Sequence, residues 1–233
     1  RLKGLVMNIF TPRRVENLRA SVQALALDLA QQARARGSFD LLHDLAEPLS
    51  VTVIADLLGI PQPMRASLRP WSKDIVAMFE LAPSAADRES ANRAVESFSA
   101  ALAALVEEKR HHPSDDLLSG LAAAEAHGEI RRQEVLATAI LLLNAGHEAT
   151  VNATGNGMLA LLRTPGQWQA LREDPALIRG AMEEMLRFDT PLQLFFRWAR
   201  EDVDYKDVAF RQDQRIALLY GAANRDPARF PHP

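Results

Sequence analysis

The chain has 233 residues, 48% of them apolar, with a formal net charge of −3 and no cysteine. That length and composition suit one large globular domain, or part of one, and exclude a disordered chain. Dispersed basic residues argue against nucleic acid as a main partner, and the lack of thiols excludes disulfides, cysteine nucleophiles, zinc–thiolate sites and iron–sulfur ligation from within the chain. Arg1-Leu2-Lys3-Gly4 opens without the apolar stretch of a secretory signal, and Val135 to His147 is too short for a membrane span. A soluble cytoplasmic protein with no membrane partner is expected. Both ends read as cuts, since the chain starts abruptly and without Met.

Most of the sequence carries a helical pattern. Thr11-Pro12 reads as a cap followed by proline at the first helical position, with Val15, Leu18, Val22, Leu25 and Leu29 at helical spacing up to Gly37. Asp40 opens a second helix whose inward residues are Leu42, Leu45, Leu49, Val53 and Leu57, stopped by Gly59 and Pro61. Met64 to Phe79 predicts a third, interrupted by Pro70, and Pro83-Ser84 opens a fourth that runs to about Lys109. A turn at 111–114 precedes a short helix from Asp115 to Ala126.

Arg131 to Leu162 predicts a helix roughly 48 Å long, at about 1.5 Å per residue. Its middle is apolar nearly all round, which predicts a path through the core. Two proline-opened helices follow, at Pro165 and Pro175, the second ending near Phe188. After Thr190-Pro191 the pattern changes to short strands, at Leu194–Val203, Val208–Phe210 and Arg215–Tyr220. The expected class is mainly α, with a small β-sheet late in the chain.

Three segments could carry chemistry. Gly146 and Glu148 sit halfway along the long helix, where glycine costs about 1 kcal/mol relative to alanine. A buried carboxylate costs more unless it is paired, protonated or wetted. Together they suggest a flat or bulky group approaching Gly146 and a proton-handling role for Glu148. A kinked core helix with one solvent-facing Glu is the alternative reading. A zinc-protease reading of His147-Glu148 fails, because Val151 stands where the second histidine would be. A hydrolase built on these two residues lacks a nucleophile and an oxyanion donor.

The second segment holds Glu184 and Arg187, an i,i+3 pair of a kind common on helix surfaces. Downstream, Arg197 lies in the apolar run Leu194-Phe195-Phe196-Arg197-Trp198 and needs an anion there. A carboxylate or propionate of a planar ligand would serve, and so would a cross-strand pair with Glu201 or Asp202. The third segment, Ala222 to Pro231, is a turn rich in capping residues with one apolar anchor, Phe230.

In this order and spacing, these pieces resemble the cytochrome P-450 family, with the soluble bacterial members as the nearest type. Ala145-Gly146-His147-Glu148-Ala149-Thr150 is similar to the oxygen-activation motif A/G-G-x-D/E-T-T of the long central (I) helix. Glu184 and Arg187 match the family's E-x-x-R pair, and Arg197 the strand arginine that contacts a haem propionate. Asn224-Arg225-Asp226-Pro227 with Phe230 and Pro233 matches the segment leading into the meander. Arg1-Leu2-Lys3-Gly4-Leu5-Val6 with Phe10 to Val15 resembles the C helix and its exit, Lys3 standing at the family's haem-contacting arginine position.

The resemblance covers essentially the whole chain and implies an incomplete P-450 domain over 1–233, from the C helix to the start of the meander. It implies haem b as cofactor, O₂, a ferredoxin or flavodoxin redox partner, and insertion of one oxygen atom into a small organic substrate. By motif match, Glu148, Ala149 and Thr150 are the catalytic set, and Lys3, Ala145, Gly146 and Arg197 bind the cofactor. Leu141, Asn144, Gln193 and Phe195 line the substrate pocket, with Met78 and Phe79 as looser candidates for an access lid. Arg1, Lys3, Arg13 and Arg14 would face an acidic redox partner.

Two departures stand out. Ala149 occupies the place of the threonine that most members use to hydrogen-bond dioxygen, and Thr150 is rotated about 100° round the helix from it. An oxygenated substrate or a water-assisted relay is therefore expected. The chain also stops at Pro233, before the family's F-x-x-G-x-x-x-C loop and final helix, so no metal ligand is expected in these residues. Activity then belongs to a longer parent, with this chain inactive alone; a haem-free scaffold or binding fragment is the other reading.

Overall fold

A computed structural model describes residue 4, residues 11–80 and residues 82–231. The candidate positions Arg1, Lys3, Phe10 and Pro233 lie outside the described residues, as does the side chain of Arg14. The chain divides into two compact units, Arg1–Glu148 and Ala149–Pro233, and the division falls inside the long helix.

In the first unit the predicted opening helix forms as two, α1 (Pro12–Asn17) and α2 (Arg19–Arg36), broken at Leu18. Asp40 caps as expected, its Oδ1 accepting from the backbone N–H of Leu42 and of His43 at 2.9 Å. The chain then makes a wide π turn over Leu42–Ala46 before entering α3 (Glu47–Leu58). That wide turn corrects the predicted inward face. An extra residue per turn rotates the helix by about 100°. The buried positions become Ser50, Val51, Ile54, Ala55 and Leu58 rather than Leu49, Val53 and Leu57.

Gly59 ends α3 at φ 76°, and Asp116 packs against its α-carbon, so a side chain here meets both strain and a clash. Helix α4 (Gln62–Val76) contains Pro70 and runs into a 3₁₀ turn at Ala77–Phe79. Helix α5 (Ala85–His111) starts with a reciprocal capping box between Ser84 and Asp87. Helix α6 (Leu117–Ala126) starts two residues later than predicted and is capped by Asp116.

These helices enclose one apolar core. Leu58, Leu68, Phe98, Leu102, Val106, Leu118 and Leu121 are fully buried, and Trp71 stacks on Phe98 with ring centroids 5.0 Å apart. Into it runs α7 (Arg132–Arg163), 32 residues long. Val135, Ala139 and Leu143 recur every fourth residue and are fully buried. The expectation of burial all round fails on another face: Ala137, Leu141 and Ala145 are exposed at the same spacing. Four residues are just over one turn, so each set lies along one side of the helix.

In the second unit α7 continues to Arg163, followed by α8 (Pro165–Glu173), a 3₁₀ turn at Pro175–Leu177 and α9 (Ile178–Phe188). Gly157 allows a close crossing: a Cβ there would stand 2.7 Å from Met185 Cγ and Sδ. The β segment is two antiparallel ladders rather than one small sheet. β1 (Phe195–Trp198) pairs with β4 (Arg215–Leu218), Arg197 opposite Ile216. β2 (Val203–Tyr205) and β3 (Val208–Phe210) pair with each other between them. The predicted strand 194–203 is thus split by the bend after Trp198. A short helix, α10 (Tyr220–Ala223), takes the end of the last predicted strand.

Candidate functional site

In the first unit the motif segment of α7 lies against α3 and α4. Gly146 has a protein neighbour: a Cβ added to it would sit 3.0 Å from Ile54 Cδ1 of α3. The glycine expected to admit a flat ligand is accounted for by this helix contact. Asn144, expected in the substrate pocket, is buried, with its Oδ1 accepting from Ser72 Oγ at 2.8 Å and its Nδ2 donating to the Ile140 carbonyl at 2.7 Å. Its amide is committed to the interior.

His147 is buried beside it, with Nδ1 2.8 Å from Ser50 Oγ. Ser50 Oγ also donates to the Glu47 carbonyl at 3.1 Å. A hydroxyl has one proton, so with that proton on Glu47 it is the imidazole Nδ1–H that donates to Ser50. Burial pushes the His147 pKa below its ordinary value, Arg69 adding to the effect and the charges of Glu148 and Glu47 opposing it. Arg69 Nη2 lies 2.5 Å from Glu47 Oε2, an ion pair by distance although off the line of a hydrogen bond.

The exposed side of α7 is chemically simpler. Leu141, 60% exposed, lines an open groove with Gln133, Glu134, Ala137 and Thr138. Ala145 follows one turn on, and Glu148 is half-buried. Met78 and Phe79 are exposed at the end of α4, Phe79 strongly so.

In the second unit Ala149 is exposed and Thr150 follows it on α7. Glu184 and Arg187 form a two-pronged pair on α9, Nε to Oε2 at 2.7 Å and Nη2 to Oε1 at 2.6 Å. The Arg187 bond holds the Glu184 carboxyl below its ordinary range, and Glu184 raises the Arg187 guanidinium. Glu184 is mostly exposed, Arg187 is not, so the pair itself is solvent-screened. Arg187 reaches further: its Nη1 donates to the Asn224 carbonyl at 2.6 Å, and its guanidinium stands 4.9 Å from the Phe230 ring centre.

Arg197 projects from β1 over Phe195, 4.4 Å from the ring centre, and donates to the Phe196 carbonyl at 2.9 Å. The cross-strand alternative does not form. Asp202 is taken by Arg211 at 3.0 Å and by the Gln212 N–H at 2.8 Å, and no carboxylate among the described residues pairs with Arg197. Gln193, expected in the pocket, organises a turn: its Nε2 donates to Asp189 Oδ1 and to the Thr190 carbonyl.

Sequence reasoning missed three contacts: Ser50 with His147, Ser72 with Asn144, and Arg225 with Phe188. Each links distant parts of the chain, and no local pattern announces it. Among the described residues no helix is long and apolar enough to cross a membrane, and no cluster of three acidic or histidine side chains could hold a metal ion.

Compared as a whole with known families, curated proteins and solved structures, the chain finds clear matches. The family described as Cytochrome P450 matches residues 72–233. "Polyketide biosynthesis cytochrome P450 PksS" of Bacillus subtilis (strain 168) is 37% identical over 100% of this chain and 57% of its own length. "Cytochrome P450 monooxygenase PikC" of Streptomyces venezuelae is 40% identical over 100% of this chain and 56% of its own length. The solved structure of P450BioI in complex with hexadec-9Z-enoic acid ligated acyl carrier protein superposes with a TM-score of 0.94 at 35% identity, covering 99% of this chain and 60% of that one. The chain belongs to the cytochrome P450 family, whose members bind haem. It spans a little over half the length of these relatives.

Proposed function

We propose that this chain is a stretch of a single P-450 domain in a haem-thiolate monooxygenase, with haem b as cofactor. The reaction is insertion of one atom of O₂ into a small organic substrate, with electrons from a ferredoxin or flavodoxin partner. The observation that carries the reading is Arg197: an exposed guanidinium on an apolar strand, with no carboxylate paired to it among the described residues. Such a group suits a propionate. The exposed face of α7 adds support: Ala145 is small enough to let a flat apolar group lie close to the helix backbone, and Leu141 one turn earlier offers exposed apolar surface. The residues present fit haem.

When bound, haem supplies the redox chemistry that splits O₂. The chain's own residues do the rest. Arg197 would hold a propionate, with Lys3 as a second candidate contact. Glu184 and Arg187 would hold the 224–230 segment. Ala145 and Ala149 offer only methyl groups; Leu141 in the first unit and Phe195 in the second are each a candidate substrate contact by motif match. Glu148 would hold and pass a proton at its carboxylate. Ala149 has no hydroxyl to continue that path, and Thr150 points about 100° away. The missing hydroxyl then comes from the substrate or an ordered water. The polyketide-biosynthesis and acyl-carrier-protein relatives support a hydroxyl- or carbonyl-bearing chain as substrate.

The test is a reduced-CO difference spectrum of the protein that contains this segment and the residues after it. A thiolate-type Soret band is expected; absence of haem would favour a scaffold. In the active protein, Ala149→Thr should improve the coupling of electron consumption to product for a substrate lacking the hydroxyl. Unchanged coupling and unchanged substrate range would remove the relay assignment.

A further inference from the structure

The end of α9 and the segment after α10 are joined twice, in opposite directions. Arg187 Nη1 donates to the Asn224 carbonyl at 2.6 Å, while Arg225 Nε donates to the Phe188 carbonyl at 2.9 Å. Donor and acceptor are sequence neighbours on each side, 187 with 188 and 224 with 225. Each guanidinium also lies over a ring from the opposite segment, Arg187 over Phe230 and Arg225 over Phe188, the latter 4.0 Å from the ring centre.

The coupling follows from peptide geometry. The Asn224 carbonyl belongs to the peptide plane whose other end is the Arg225 α-carbon, and that plane is rigid. Tethering the Arg225 side chain to Phe188 restricts the α-carbon and hence the direction of the carbonyl. Arg187 has its Nε and Nη2 on Glu184, so the Asn224 carbonyl is what orients its remaining nitrogen. One local bond bears on that plane, Arg225 N–H to the Ala222 carbonyl at 3.1 Å just after a four-residue helix. The Arg225 side-chain bond to Phe188 adds a second restraint from a distant segment.

We propose that Arg225 is a positioning residue for the Glu184–Arg187 pair, acting through the Asn224 carbonyl as the return half of a reciprocal arginine clamp. This deepens the monooxygenase reading, because that pair is the element assigned there to hold the 224–230 segment, but the clamp itself needs no haem.

The experiment is hydrogen exchange of the 220–230 amides together with a carboxyl-resolved NMR titration of Glu184, on the same protein. Arg225→Ala should speed exchange at Asn224 and Arg225 by about tenfold, the loss expected for one charged hydrogen bond. It should also move the Glu184 titration upward, toward an ordinary carboxylate. Arg225→Lys keeps a donor and a cation over the ring and should recover part of both effects. Arg211→Ala, at an exposed pair with Asp202, serves as the control and should change neither.

A lower melting temperature with an unmoved Glu184 titration would overturn the proposal, leaving Arg225 as a local stabiliser only. Should Arg225→Ala fail to fold, Phe188→Leu removes the ring beneath the guanidinium and should shift both readouts less, in the same direction. No shift in Phe188→Leu and Arg225→Lys would equally overturn it. Failure of the haem reading shows in the CO spectrum and leaves these readouts untouched, so the two failures are distinguishable.

Discussion

The two units are held together by different physics. The first buries a contiguous set of large apolar side chains, Phe98, Leu68, Leu102 and Leu121 among them. In the second, the buried apolar side chains among the described residues are Val151 and Ala199, while Ile178, Met182, Leu186 and Trp198 are exposed. Arginine contacts to rings and carbonyls recur there, beside two short β-ladders. Every cation–π contact among the described residues lies in this unit, including Arg215 over Phe196, 3.4 Å from the ring centre. Packing tolerates no missing volume, whereas guanidinium contacts are directional and individually modest.

The sharpest way to break this contrast is Phe98→Ala. The ring is fully buried and stacked on Trp71, so its loss should cost about 3–5 kcal/mol in chemical denaturation. A cost below about 1 kcal/mol would mean that the first unit is not held by its core. Next comes Gly157→Ala, one place where the second unit does depend on close packing. The added methyl meets Met185, and overpacking of this kind costs about 1–3 kcal/mol. Met185→Ala in the same chain should return part of that loss.

The smallest effect is in pH. Burial keeps His147 neutral in the native state, while the unfolded chain takes up the proton once pH falls below about 6.5. This group leaves stability unchanged above that pH. Below it stability falls, by at most about 1.4 kcal/mol per pH unit. The Glu184 carboxyl, depressed by Arg187, gives a contribution present above about pH 4.5 and lost in more acid solution, small because the group is exposed. Urea titrations from about pH 7 to about pH 5 should therefore report the first unit, and His147→Gln should flatten them.

Helix ends were legible in the sequence because their signals are local. Ser84, Asp40, Gly59 and Pro165 each mark a boundary that the structure keeps. The buried face of α3 was not, because nothing in Leu42–Ala46 announces a wide turn, yet that turn rotates everything after it. Site residues divide in the same way. Motif spacing brought out Glu184 and Arg187, an ordinary helix pair taken alone, and Arg197, a charge out of place in an apolar run. The partner of His147 lies 97 residues away and is an ordinary serine, so only tertiary packing reveals it. Gly146 was singled out because an unfavourable residue in a helix signals that something is close, and Asn144 by motif match alone. Each has a protein neighbour that the sequence did not announce, Ile54 beside Gly146 and Ser72 bonded to Asn144.

The exposed face of α7 has the form of a graduated edge. Ala137, Leu141 and Ala145 stand four residues apart, a rise of about 6 Å per mark. Changing the size of the side chain at one mark would alter how far along the helix a molecule can lie flat, without disturbing Val135, Ala139 and Leu143 behind it. Exposed and buried side chains thereby stand on opposite sides of one helix, and the exposed ones can be exchanged while the core is left alone.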